Sequence, residues 1–253
     1  MQKNKKINKI SIITLVNDEF NYNRLKNSFL LHNEIVYLDF IPIDADGNNL
    51  NAATALNNGL SKSDAEWAIL VHQDVIIPGG WLNIVLDELY NIDKEIIILG
   101  LVGVRENGSF VGHIKDPHGH FYWGSLPSQV ISVDEHLIIV RKSAGVIFDE
   151  NNPGFHCYGT DICLEARKKG FRSIVIDAPV LHLSGGNIDS SFITAADWLL
   201  NKWGKELNYI IPTCADLIYR IKFTNIHKLA FYKIKRRITS MKLFSTCNCK
   251  NIN

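Results

Sequence analysis

Residues 68–81 read AILVHQDVIIPGGW. Four apolar residues, Ala68 to Val71, run into His72, Gln73 and Asp74, and a Pro-Gly-Gly turn then leads to Trp81. A short apolar run bounded by turn residues fits a strand buried on both faces, as in the middle of an α/β sheet. A charge at the end of a buried strand is costly unless it is paired or bound. Asp74 alone reads equally well as a turn residue or as a ligand. Its neighbours along the chain decide between the two.

Working outward, short apolar runs alternate with helical patterns. The spacing predicts strands at Lys9–Val16, Ile35–Ile43, Trp67–Val75, Ile96–Val104, Glu135–Arg141 and Ser173–Ala178, with helices at Tyr22–His32, Leu50–Leu60, Gly80–Asn91 and Thr160–Lys169. The last helix carries Arg167, Lys168 and Lys169 at its end and Gly170 just beyond, both stop signals. This alternation implies an α/β fold, a mainly parallel sheet flanked by helices. Ligands of such sheets bind at the carboxyl ends of the strands. Asn17-Asp18, Asp44 with Asp46, and His72-Gln73-Asp74 therefore stand where a site is expected.

At 253 residues and 46% hydrophobic, the chain can bury a large core. Its net charge of +1 hides an asymmetry: residues 1–216 carry 18 Lys/Arg against 26 Asp/Glu, and residues 217–253 carry 9 Lys/Arg and no acid. A body of 1–216 and a basic amphipathic C-terminal extension of 217–253, read as helical, are expected. Cys157, Cys163, Cys214, Cys247 and Cys249 are odd in number and scattered, which suits a reducing compartment. The basic start runs into too short an apolar stretch for a signal or a span, so the expected location is cytoplasmic, with the inner face of a membrane as an alternative.

Asp161 opens a helix, where either it or Thr160 would serve as a cap. His182 ends an apolar run before Ser184-Gly185-Gly186, and a lone histidine there is most often structural. Imidazole and carboxylate together can hold a divalent ion such as manganese.

Three blocks, in order, add a resemblance. NAATALNNGLSKSDAEWAILVHQDV, VDEHLIIVRKSAGVIFDENNPGFHCYGTDICLEARKKGF and VLHLSGG are similar to the corresponding blocks of inverting family 2 glycosyltransferases of the GT-A (Rossmann-like) fold, over Ile10 to about Asn187. The HQDV spelling resembles that of a StrF-like subgroup. The resemblance implies that Asp74 is a metal ligand, as the last Asp of a D-x-D motif, and that His182 is the second. It implies that Asp44, with Asn57 nearby, contacts the donor nucleotide, and that Asp161 is the general base, as the Asp of a Gly-Glu-Asp motif. His72 replaces the first acid of D-x-D, and Thr160 the Glu of Gly-Glu-Asp. The implied cofactor is Mn2+ or Mg2+. The implied partners are a nucleoside-diphosphate sugar and a glycan or lipid-linked hydroxyl acceptor, in surface polysaccharide or glycoconjugate synthesis. The two replacements keep a second reading open, a catalytically inactive nucleotide-sugar-binding scaffold.

Residues 103–132 have poor periodicity and read as a long functional loop, in which His113, His118, His120, Phe121, Tyr122 and Trp123 would meet the acceptor. The basic residues of 217–242 could lie on an anionic membrane or form the solvated face of a packed helix. The acidic body and the lack of a recognised motif argue against nucleic acid.

Overall fold

A computed structural model describes residues 7–31, 35–44, 47–48, 50–185, 190–208, 210–215 and 217–219. The central sheet has seven strands. These are β1 (Lys9–Leu15), β2 (Tyr37–Ile43), β3 (Trp67–Val71), β5 (Ile96–Gly100), β9 (Ser128–Val130), β11 (Leu137–Arg141) and β12 (Arg172–Val175), in the order β2-β1-β3-β11-β5-β12-β9. A second sheet contains β4 (Val75–Ile76), β6 (Val102–Val104), β7 (Phe110–Asp116), β8 (Gly119–Trp123), β10 (Ser132–Val133) and β13 (Leu181–His182). The helices are α1 (Glu19–Leu30), α2 (Ala52–Lys62), α3 (Trp81–Asn91), α4 (Tyr158–Lys168) and α5 (Ser190–Trp203), and β14 (Ile210–Pro212) and β15 (Leu217–Tyr219) form a separate pair.

The apolar run of β3 is buried throughout because it is covered on both sides. Trp67, Ile69 and Val71 point into one core with Leu25 and Phe29 of α1 and Trp81, Val85 and Leu86 of α3. Ala68 and Leu70 point into the other, with Ala52 and Leu56 of α2 and Ile162 and Ala166 of α4. The period of two thus divides one strand between two cores and makes a three-layer α/β/α body. A third core of Phe192, Leu199, Leu200 and Trp203 seats α5 beside Cys157 and Leu164.

The sheet is more mixed than the alternation alone implied. β1 pairs in parallel with β2 and β3, but β11 runs antiparallel between β3 and β5. The strand predicted over Trp67–Val75 divides into β3 and β4 at a turn in which the Val75 amide bonds His72 O at 3.3 Å. Trp81 starts α3 behind Gly80, whose φ of 78° favours glycine, and its indole donates to Ala178 O at 2.7 Å.

Residues 103–132 are not a loop. They hold the rest of β6, all of β7 to β9 and the start of β10, with β7 and β8 joined as a hairpin. Histidines and glycines at strand positions hid the pattern: Gly112 lies so near Leu101 O and Val102 Cα that a Cβ there would sit 2.6 Å from both. The extension beyond Tyr219 lies outside the described residues.

Candidate functional site

β3 ends at Val71, so His72 and Asp74 occupy the turn between β3 and β4 at the carboxyl end of the sheet. His182 reaches them from far along the chain because β13 pairs with β4, Leu181 opposite Ile76 and His182 opposite Val75. The Leu183 amide extends that ladder to Asp74 O at 2.9 Å. The ligand atoms of His72, Asp74 and His182 all lie within 4.8 Å of one another, and His182 Nε2 is 3.4 Å from Asp74 Oδ1. Ser184 Oγ lies 3.2 Å from the same ring nitrogen.

The protonation states suit a cation. Burial would raise the Asp74 carboxyl, but the hydrogen bond and charge of His182, with Ser184 and His72, outweigh it and hold Asp74 well below the usual carboxylate range. Burial, aided by the charges of His182 and His136, pushes His72 down to about 4, so its imidazole is neutral at neutral pH. Burial works against charge on His182 too, yet Asp74 raises it overall. An ionised carboxylate and a neutral imidazole are ready-made ligands, and a cation there would displace the proton on His182.

Gln73, between the two, faces the other way along the site. Its Oε1 accepts from the backbone amides of Asn17 and Asp18 at 3.0 Å each, and its Nε2 donates to Asn17 Oδ1. Asp18 in turn caps α1, accepting from Phe20 N at 2.9 Å and Asn21 N at 3.2 Å. The ends of β1 and β3 are thereby tied together.

The N-terminus of α4 closes another side. Tyr158 OH is 3.2 Å from His72 Nε2. Gly159 is required because a Cβ there would lie 2.4 Å from Val133 O. Glu135 accepts from the Gly159 amide at 3.0 Å and takes the place of a cap, since Cys157 supplies no side-chain bond. Burial pushes the Glu135 carboxyl up to about 8; the Gly159 amide opposes this and the Asp134 charge adds to it. Asp134 behaves oppositely: burial would raise it, but His136 outweighs burial and holds it low. These two acids flank the site.

Asp161 lies in the first turn of α4 and is 1% exposed. Trp203 Nε1 donates to its Oδ1 at 2.6 Å, and Lys202 Nζ lies 2.8 Å from that oxygen and 3.1 Å from the other. Lys202 also pairs with Asp149 at 2.8 Å and Glu165 at 2.9 Å. Burial pushes the Asp161 carboxyl up against the opposing pull of Lys202 and Trp203. Nothing in the sequence marked α5 as the partner of Asp161.

Asp44 and Asn57 stand apart from the cluster. Asp44 is exposed at the end of β2 and accepts from Gly47 N at 2.7 Å. The Asn57 amide is committed to Phe148, donating to its O at 2.9 Å and accepting from its N at 3.1 Å. On the β7–β8 hairpin His113 and His120 meet through their Nε2 atoms at 2.7 Å, and Asp177 holds His113 Nδ1 at 2.7 Å. The rings of Phe121 and Trp123 stack 5.1 Å apart, 6° from parallel.

Residues 11–190 match the family described as "Glycosyltransferase like family". A protein of Fuscovulum blasticum described as "ATP synthase subunits region ORF 6" is 28% identical over 194 residues, covering 72% of this chain and 78% of that one. Two solved structures share the fold. One is the mannosyltransferase PcManGT from Pyrobaculum calidifontis in complex with GDP-Man and Mn2+, at a TM-score of 0.54 and 12% identity over 79% of this chain. The other is GalNAc-T7 with UDP, GalNAc and Mn2+, at 0.57 and 10% over 79% of this chain. The chain spans 64% and 50% of their lengths. Both neighbours have the GT-A fold, and so does this body.

Proposed function

Since the chain belongs to this glycosyltransferase-like family, we propose that it transfers a sugar, with inversion, from a nucleoside-diphosphate sugar to a hydroxyl acceptor in polysaccharide or glycoconjugate synthesis. The observation that carries the reading is the meeting of His72, Asp74 and His182 at the carboxyl ends of strands from two sheets. Their donor set fits a divalent cation, Mn2+ or Mg2+, and such an ion would act as a Lewis acid toward the leaving diphosphate. Asp44, at the end of β2, is assigned to the donor nucleotide. Asn57 is assigned to hold the Phe148 segment beside it, in keeping with its bonds. The aromatic pair of β8 offers a face on which an acceptor sugar could stack.

An acceptor hydroxyl attacks well only when a positioned base takes its proton. Asp161 is assigned that role, and it requires the last turn of α5 to withdraw Trp203 and Lys202 from its oxygens. Glu135 is the second candidate, supported by its partial exposure at the same helix terminus; its carboxyl, pushed up to about 8 by burial, must ionise before it can act, so transfer through it would rise as pH approaches 8. Single-turnover transfer by Asp161→Asn and Glu135→Gln separates them: loss on the order of 10²-fold or more marks the base. Near-normal turnover in Asp161→Asn removes the first assignment.

The sealing of Asp161 also supports a second reading, a nucleotide-sugar-binding scaffold without turnover. Calorimetry with a panel of nucleoside diphosphates and their sugars, with and without Mn2+, followed by a donor-hydrolysis assay, tests both. Binding that needs the cation, with turnover, supports the transferase; binding with no turnover supports the scaffold; no binding of any donor rejects both. The basic residues of 217–242 are assigned to an anionic membrane surface, where lipid-linked acceptors would be met.

A further inference from the structure

Beside the cluster lies a histidine to which the proposed chemistry gives no role. His136 is 0% exposed. Its Nδ1 is 2.6 Å from Asp134 Oδ1, and Asp134 also accepts the His136 backbone amide at 3.1 Å. Its Nε2 is buried and, among the described residues, has no hydrogen-bond partner. A buried polar atom left unpaired is costly and calls for an explanation, an unseen ion being one.

The ladder explains where that nitrogen stands. β11 pairs antiparallel with β3 up to Leu137 opposite Val71, and the His72 amide continues the ladder to His136 O at 3.0 Å. His136 and His72 are therefore cross-strand neighbours. The His136 ring lies 5.5 Å from that of His182, which lies 5.7 Å from that of His72. A carboxylate on one ring nitrogen of a histidine fixes the tautomer and leaves the lone pair on the other, the arrangement found behind metal-bound histidines. Asp134 does this for His136, and the nitrogen it frees is the one without a partner.

Resting on the metal-dependent reading above, we propose that His136, which stands beside the three residues grouped within 4.8 Å and closes on them when the ion is bound, is a further protein ligand of the same cation, with Asp134 as its positioning residue. The centre then offers three imidazoles and one carboxylate. Nitrogen-rich sets favour transition metals, whereas Mg2+ prefers oxygen ligands. The preferred ion is accordingly Mn2+, Co2+ or Zn2+ over Mg2+.

The test uses the full chain and metal ions alone. Calorimetry gives the Kd for Mn2+ and Co2+, and pulsed electron paramagnetic resonance on the Mn2+-loaded protein counts coordinated imidazole nitrogens. Wild type is expected to show three imidazoles and to prefer both ions to Mg2+. His136→Asn should show two and bind at least about 10-fold more weakly, and Asp134→Asn should weaken binding about 10-fold. Two imidazoles in wild type, or unchanged affinity and nitrogen count in a folded His136→Asn, overturn the proposal. If His136→Asn fails to fold, the wild-type count decides alone. A wild-type protein that binds Mn2+ through two imidazoles leaves the metal reading of the transferase standing and removes only His136; one that binds no cation removes both.

Discussion

A carboxylate with both oxygens engaged and almost no contact with water is held, not idle. Trp203 Nε1 donates to Asp161, and Trp203→Phe keeps most of the volume while leaving that acceptor one bond short. The expected cost is about 1–3 kcal/mol in unfolding free energy, read from urea denaturation. Glu135 gives a second residue-scale expectation. Its carboxyl is pushed up to about 8 in the fold, so between its ordinary value and about 8 the folded state holds a proton that the unfolded state has lost. Stability from this group is fully present below the unfolded pKa and is lost as pH rises through 8. Wild type should therefore lose stability relative to Glu135→Gln between pH 5 and 9. With the side chain partly open to solvent, the difference should be on the order of 2 kcal/mol or less. A flat difference across that range would remove the burial of Glu135 as its cause. At this scale Asp74 and His182 were legible, being polar groups that end apolar runs. His136 was not: it precedes an apolar run, and its role depends on a cross-strand neighbour that no local pattern reveals.

Among elements, the turn joining β3 to β4 does most to shape the site. Gln73 projects from it to cap two amides at the end of β1, and Gln73→Leu leaves both without that acceptor. Because those amides can reach water, overall stability should fall by only about 0.5–1.5 kcal/mol. Donor binding should suffer more, since the β1–α1 corner loses its tie to the turn that carries His72 and Asp74; calorimetry with a nucleoside diphosphate should show a Kd raised about 10-fold. An unchanged Kd would make Gln73 a stabilising residue only. The predicted helices and four of the six predicted strands of the body were found with ends shifted by a few residues, because buried runs and caps are local signals, whereas Trp67–Val75 divides into β3 and β4 and Ile96–Val104 into β5 and β6, each pair shared between the two sheets. The hairpin of β7 and β8 was missed because its faces carry histidine and glycine where alternation would show apolar and polar residues. The antiparallel course of β11 was equally hidden, since direction is set by the connections and leaves no mark on an apolar run.

For the molecule as a whole, three layers keep two cores on either side of one sheet, and the site lies where the second sheet meets its carboxyl ends. Among the described residues no helix is long and apolar enough to cross a membrane. Association with one would depend on the basic residues that follow Tyr219. The full chain should float with liposomes rich in anionic lipid and release at high salt, and a chain ending at Tyr219, which keeps the buried Ile218, should not. Equal flotation of the two would place the membrane contact elsewhere.

The short ladder between β4 and β13 sets an order of events during synthesis. Asp74 and His182 are neighbours only once β13 has been made and has paired, so a nascent chain that stops anywhere before residue 182 lacks one group of the centre. A cation held there would thus be a late arrival to the growing protein. A ribosome-released fragment ending before Leu181 carries β1 to β12 and α1 to α4 but lacks His182, and it should bind Mn2+ more weakly than the full chain.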